Sequence, residues 1–401
     1  MSRINMKCID LALRVLEGRQ TFLRSPVLLH NKKMNHSRLA TSEGVQENVK
    51  KYYGSRLESS CDLQTSAASG SLSCSRCSLP PSVTEALSLV HPEVTKRFFG
   101  CGLPFPGKLK GCRLLDLGSG SGRDCFAFSK LVGPSGHVTG IDMTEELVSA
   151  SRQHIGYHQR QFGYEEPNVT FVQGYMEELE EAGIQRNSMD VLISNCVICL
   201  CPDKKAVLQQ AYNALKEGGE FTFSDMYASR VVPDHMKQDP VLWGEGMGGA
   251  LFWEDLISLA RSVGFSTPLL VSASLIEVHN KDLAARTGDI RYASSTYRLF
   301  KLPERSVGSS ATVTYKGTEA EAPDRLDFDS SHRFEKGVAM RVNAEMAAIL
   351  QNSRFAEDFK IEMLDNHESK PEPAPQLCHL NPFLLAEKRG SSVKQCSKTC
   401  K

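Results

Sequence analysis

The sequence predicts an α/β protein: a doubly wound, mostly parallel sheet followed by a small C-terminal α+β module. Three observations carry this. Between residues 113 and 225, short apolar and β-branched runs alternate with amphipathic helical stretches, the order of successive βαβ units. A glycine-rich turn stands directly after the first of these runs and before the first helix. Beyond about Pro303 the composition changes through a Ser-, Thr- and Gly-rich linker to a segment with its own strand and helix patterns.

The strand candidates are RLLDL (113–117), HVTGID (137–142), VTFVQG (169–174), DVLISN (190–195) and EFTFSD (220–225). Gly218-Gly219 marks the turn into the fifth, since glycine reaches positive φ at little cost. Upstream, 45–63 has helical spacing, and the Ser-, Ala-, Gly- and Pro-rich stretch 64–81 reads as a loop. That loop holds Cys74 and Cys77, a Cys-x-x-Cys without the second pair that a structural zinc site wants. The expected organisation is an N-terminal extension over 1–44, a main domain over 45–302 that includes the first helix and the cysteine loop, a module over 303–367 ending in a helix, and a tail over 368–401. Extension and tail are expected to be disordered; the tail is rich in Pro, Lys and Ser and carries Cys378, Cys396 and Cys400.

At 401 residues the chain exceeds the usual single-domain size. Lys plus Arg equals Asp plus Glu, at 47 each, which argues against a nucleic-acid or membrane-surface partner and for a small molecule. No apolar run reaches the roughly 18–20 residues that span a bilayer. Residues 1–33 hold seven basic residues beside Asp10 and Glu17, with no secretory pattern and a poor fit to a presequence, so a cytosolic protein is expected. The expected oligomeric state is a monomer. Thirteen cysteines in such a chain are expected to be reduced. Cys8, Cys112 and Cys125 read as small buried hydrophobes.

The turn runs Asp116-Leu117-Gly118-Ser119-Gly120-Ser121-Gly122. A dinucleotide fingerprint would place a glycine three residues after Gly120, where Arg123 stands. With Asp142 ending the second strand, the pattern instead resembles motif I and the ribose-binding acid of Rossmann-like class I methyltransferases that use S-adenosylmethionine. The resemblance implies that Gly118, Gly120 and Gly122 line the cofactor loop and that Asp116 supports the ligand's ammonium. It implies further that Asp142 accepts from the ribose, that Met143, Tyr175 and Met176 flank the adenine, and that Asn195 faces the reacting centre.

Several distant segments narrow the acceptor: Tyr-Tyr-Gly at 52–54 with Asp-Leu-Gln-Thr at 62–65, Phe-Phe-Gly-Cys-Gly at 98–102, Ser-Asn-Cys-Val-Ile at 194–198, LWGE at 242–245 and SRFAEDF at 353–359. Together with LDLGSGSGRDC (115–125) and GHVTGIDM (136–143), they resemble the arsenite methyltransferases over roughly 45–359. Trivalent arsenic is soft and takes thiolate ligands. Its remaining lone pair is the nucleophile, so catalysis is positioning and needs no general base.

The resemblance implies Cys196, Cys101 and Cys74 as catalytic arsenic ligands, with Cys77 as the alternative to Cys74, and a thiol reductant of glutathione or thioredoxin type as partner. It also implies a role in arsenic detoxification, acting on arsenite and methylarsonous species. One residue departs from the pattern: where the family has Trp-Gly-Glu-Cys, this chain has Trp243-Gly244-Glu245-Gly246. Cys199 or Cys201 is a candidate substitute. Two other readings compete, a methyltransferase for a carbon nucleophile such as a quinone or sterol, and an arsenical-binding protein whose turnover fell with the cysteine at position 246.

Overall fold

The computed structural model describes residues 41–56, 63, 65, 79–100, 104–364, 377–388 and 390. The expectations for residues 1–40, Cys74, Cys77, Cys101, Cys396 and Cys400 therefore lie outside the described residues. The first helix, Ser42–Lys51, starts inside the expected extension, capped by the Thr41 side chain accepting from Gly44 N, and passes into a π-turn at Tyr52–Arg56.

The main sheet contains β1 (Arg113–Leu117), β2 (His137–Asp142), β3 (Val169–Gln173), β4 (Met189–Asn195), β5 (Leu215–Ala228), β6 (Leu251–Phe252), β7 (Leu269–Ile276) and β8 (Tyr292–Phe300). Its order is β3-β2-β1-β4-β5-β8-β7, with β6 beside the end of β5. Strands β1 to β6 pair in parallel, and β8 pairs antiparallel with both β5 and β7.

Strand β1 shows why the sheet sits centrally. Leu114 packs with Phe126, Val138 and Ile193 on one face, while Leu115 and Leu117 pack with Leu192, Val207 and Leu208 on the other. A strand apolar on both sides needs helices over both faces, as a parallel sheet provides. The helices Arg123–Val132 and Glu145–Gln153 cover the first face; Lys204–Ala214 and Trp253–Val263 cover the second.

β5 is longer than the six residues expected, because the Gly-Gly pair lies within it. Gly218 has φ +76°, and a Cβ there would come within 2.0 Å of Asn352 O, so the glycine admits the backbone of the C-terminal module. That module pairs β9 (Ala311–Tyr315) antiparallel with β12 (Ala339–Val342) and β13 (Phe359–Met363), beside a hairpin of β10 (Arg325–Asp327) and β11 (Arg333–Glu335). Its helix, Ala344–Asn352, precedes a last strand instead of ending the module as expected: β13 has a ready partner in β9.

The expected disorder from 368 onwards is also corrected where residues are described. Residues 377–388 lie on the main domain, with Leu380 and Phe383 buried and Tyr297 Oη donating to Leu380 O at 3.0 Å. Leu380, Phe383 and Ala386 are buried and Leu385 packs against the core, which anchors the segment. Among the described residues no helix is long and apolar enough to cross a membrane.

Candidate active site

The chain runs from β1 outward to β2 and β3, then returns across β1 to β4. Loops leaving β1 and β4 therefore diverge, and a crevice opens at their carboxyl ends. There lies a cleft of about 960 Å³, partly open to solvent.

Its floor is the glycine turn. Gly118 N and Ser119 N donate to Ile141 O at 2.8 and 3.0 Å, pinning the turn to the end of β2. All three glycines have positive φ, but for different reasons. A Cβ on Gly118 would strike the Val197 side chain, and one on Gly122 would strike Phe171. A Cβ on Gly120 would meet nothing within 4 Å, so bare backbone faces open cleft, where a ligand can approach closely. Gly118 and Gly120 line the cleft; Gly122, expected to line it too, stands behind, packed on the aromatic core.

Asp142 joins turn and cleft. Its Oδ2 accepts from Gly120 N at 2.9 Å and its Oδ1 from Thr144 N at 2.8 Å, leaving lone pairs for hydroxyl donors. Burial pushes its carboxyl up, and those two N–H bonds pull against the shift. Met143, Tyr175 and Met176 form an apolar wall beside it. Lys50 Nζ donates to Tyr175 Oη at 2.6 Å, tying the first helix over the same wall. Bare backbone, a carboxylate with spare acceptors and flat apolar sides fit a nucleoside with an amino-acid tail.

A second group of carboxylates lies deeper. Asp116 is buried in the cleft and takes a bond from Cys125 Sγ at 3.1 Å. Burial, aided by the charge of Asp124, pushes its carboxyl up to about 8. Cys125, read as an inert buried thiol, is thus a partner of the site. Asp124 was not anticipated, yet it accepts from Asn195 Nδ2 at 2.7 Å and Arg123 Nε at 2.8 Å and so orients Asn195. Its place in the first turn of the helix after the glycines is the sequence signal for it.

The thiols follow β4. Asn195 pairs with Ser224 of β5, and Cys196 N donates to Ser224 O at 2.7 Å, which sets Cys196 alongside Asp225. Cys196 has φ +61°, rare for a side-chain-bearing residue, and it lines the cleft. The following 3-10 turn, Ile198–Leu200, brings Cys199 back beneath it, with Cys199 N donating to Asp225 Oδ2 at 3.0 Å. The ligand atoms of Cys196, Cys199 and Asp225 lie within 4.8 Å of one another, a cluster that Cys201 does not join. Cys201 instead meets Met176 Sδ at 3.3 Å, and burial pushes its thiol well up. Gly100 packs against Asn195 on the far side of the cleft, and Cys101 follows it outside the described residues.

Residues 108–264 match the family model described as "Methyltransferase domain", and residues 308–401 the model "Arsenite methyltransferase C-terminal domain". The chain is 47% identical over 351 residues to the arsenite methyltransferase of Mus musculus, covering 86% of this chain and 92% of that protein. It is 45% identical to that of Homo sapiens, covering 88% and 94%. Among solved structures, an "arsenic (III) S-adenosylmethionine methyltransferase" of Chlamydomonas reinhardtii superposes with a TM-score of 0.69 at 41% identity, covering 72% of this chain and 98% of that one.

Proposed function

This chain belongs to the arsenite methyltransferase family, an S-adenosylmethionine-dependent enzyme of class I fold, and from that premise we propose that Cys196 is the thiolate holding As(III) before the methyl donor. The observation that carries the assignment is the placing of Cys196 at the carboxyl end of β4, in the cleft beside Asn195 and opposite the glycine turn. S-adenosylmethionine supplies an electrophilic sulfonium methyl. Around it, Gly118 and Gly120 line the cofactor loop with bare backbone at Gly120 facing the cleft, Asp142 accepts from its ribose, Met143, Tyr175 and Met176 flank its adenine, Asp116 supports its ammonium, and Asn195 faces the reacting centre.

Cys196 acts by position. An arsenic lone pair aimed at the methyl carbon forms the As–C bond while the sulfonium C–S bond breaks with its electrons on sulfur. Arsenic loses two electrons formally, and a glutathione- or thioredoxin-type thiol returns them and clears the cysteines. Cys101 and Cys74 complete the ligand set implied by resemblance, and methylarsonous species are acceptors after arsenite. Thiolates serving as ligands require a reducing compartment, which favours the cytosol.

The test incubates the purified full chain with arsenite, methyl-labelled S-adenosylmethionine and glutathione, then separates arsenic species. Labelled methylarsenicals are expected from the parent, and a loss of about 100-fold or more in Cys196→Ser with cofactor binding retained. Undiminished product in that variant would remove Cys196 from the site.

A further inference from the structure

We propose that Cys199 is a relocated arsenic ligand, its sulfur occupying the place that a side chain at position 246 would otherwise reach. This rests on the reading of Cys196 as an arsenic thiolate and adds a residue to it.

The geometry comes from two elements converging on one point. Gly246 has φ +82°, and a Cβ built on it points at Cys199 Sγ, 3.1 Å away, with Met226 Cε next at 3.5 Å. The segment carrying Gly246 is held against the Cys199 turn by Trp243 Nε1, which donates to Leu200 O at 2.9 Å. Gly249 presses on the same turn so closely that a Cβ there would come within 1.9 Å of Cys199 O. A thiol on residue 246 and the thiol of Cys199 would therefore compete for the same volume. This chain has the second and, by its glycine, lacks the first.

The position is also one from which arsenic can be shared. Two sulfurs bound to one pyramidal ion at bond lengths near 2.3 Å stand roughly 3.4 Å apart. Cys196 and Cys199 Sγ lie within 4.8 Å, within reach of that separation by side-chain rotation, with Asp225 beside them as the Cys199 thiol's partner before the ion binds. Asp225 fixes the turn that carries Cys199, accepting from Cys199 N and, at 2.7 Å, from Met226 N. Cys201, the other candidate substitute, lines the cleft, but its thiol is turned to Met176 and the carbonyl of Val197, whereas Cys199 is buried directly behind Cys196.

Binding is an exchange at constant oxidation state. Each S–As bond replaces an O–As bond of arsenous acid, and the thiol proton leaves with the hydroxyl as water. Methylarsonous acid, with one hydroxyl fewer, is fully held by the Cys196–Cys199 pair, so the pair carries the second methylation as well as the first.

The test measures As(III) affinity and the number of As–S bonds by X-ray absorption, with S-adenosylhomocysteine binding as the check on folding. Cys199→Ser is expected to remove one sulfur and at least about 10-fold in affinity. Adding Gly246→Cys to Cys199→Ser is expected to restore the sulfur from the other side of the same space. Cys199→Ala guards against a serine oxygen standing in as ligand. If Cys196→Ser loses arsenic while Cys199→Ser and Cys199→Ala keep the parent's affinity and sulfur count, the relocation is overturned and the Cys196 reading stands. If the double variant stays at the level of Cys199→Ser, the equivalence of the two positions is overturned. Arsenic binding that is indifferent to Cys196→Ser would overturn the earlier reading itself.

Discussion

Burial gives Asp116 a charge state that the ligand should change. Its carboxyl is pushed up to about 8 by desolvation and by Asp124, so at pH 7 it is largely protonated in the ligand-free chain. A carboxyl raised above its unfolded value stabilises the fold at low pH, and that contribution is lost as pH rises from about 4 to about 8. A cationic ammonium placed beside it favours the carboxylate and lowers the value again. Binding of S-adenosylhomocysteine at pH 7 should therefore release a proton, and affinity should rise towards pH 8. Calorimetry in buffers of different ionisation enthalpy reads this directly. Asp116→Asn should abolish the buffer dependence, and a parent showing none would place the ammonium elsewhere.

At the scale of elements, the site depends on two turns held together: Ile198–Leu200 after β4, and the segment around the helix Pro240–Gly244. The bond from Trp243 Nε1 to Leu200 O is buried, so Trp243→Phe keeps an aromatic ring but orphans a carbonyl, at a cost of about 1–3 kcal/mol. The unfolding midpoint should fall by roughly 2–4 °C for each kcal/mol. As(III) affinity should fall with it while cofactor affinity holds, because the glycine turn is anchored to β2 and not to this segment. Equal losses of both ligands would show that the variant loosens the whole cleft. The sequence displayed Gly246 and the cysteines after β4, but not that they face each other. Nothing in their spacing reveals a contact across 47 residues made by two turns.

Over the whole molecule, one buried charge helps to join the C-terminal module to the sheet, beside the Lys108–Asp358 pair and the packing of Phe300 among the module's apolar residues. Glu220 of β5 takes Arg298 Nε at 2.6 Å and Nη2 at 3.0 Å, and Arg354 Nη1 lies 2.6 Å from its Oε2. Burial alone would raise this carboxyl, but the two guanidinium groups outweigh it and hold it at about 2. Its contribution to stability is therefore present above about pH 4.5 and is lost as pH falls towards 2. Glu220→Gln should destabilise by about 3–5 kcal/mol at neutral pH, since it leaves buried guanidinium charge uncompensated. Unfolding midpoints of parent and variant should draw together as pH falls from about 4.5 towards 2, the range in which the unfolded carboxyl protonates before the folded one. A constant gap would assign the loss to packing.

The sequence by itself determined strands β1 to β5, the glycine turn, Asp142 and the place of Cys196, because these follow from local periodicity, whereas β6, β7 and the antiparallel β8 were not among its strand candidates. Apolar runs buried on both faces specify central strands, and residues at the carboxyl ends of such strands meet at the crossover point whatever surrounds them. Tertiary structure decided the rest. Asp124 became the partner of Asn195 across 71 residues, Cys125 the partner of Asp116, and residues 377–388 part of the main domain. It also distinguished Cys199 from Cys201, which the sequence left equal. Two residues apart on a tight turn, their side chains leave in different directions, and only the packing of Trp243 and the glycines around Gly246 fixes which sulfur stands beside Cys196.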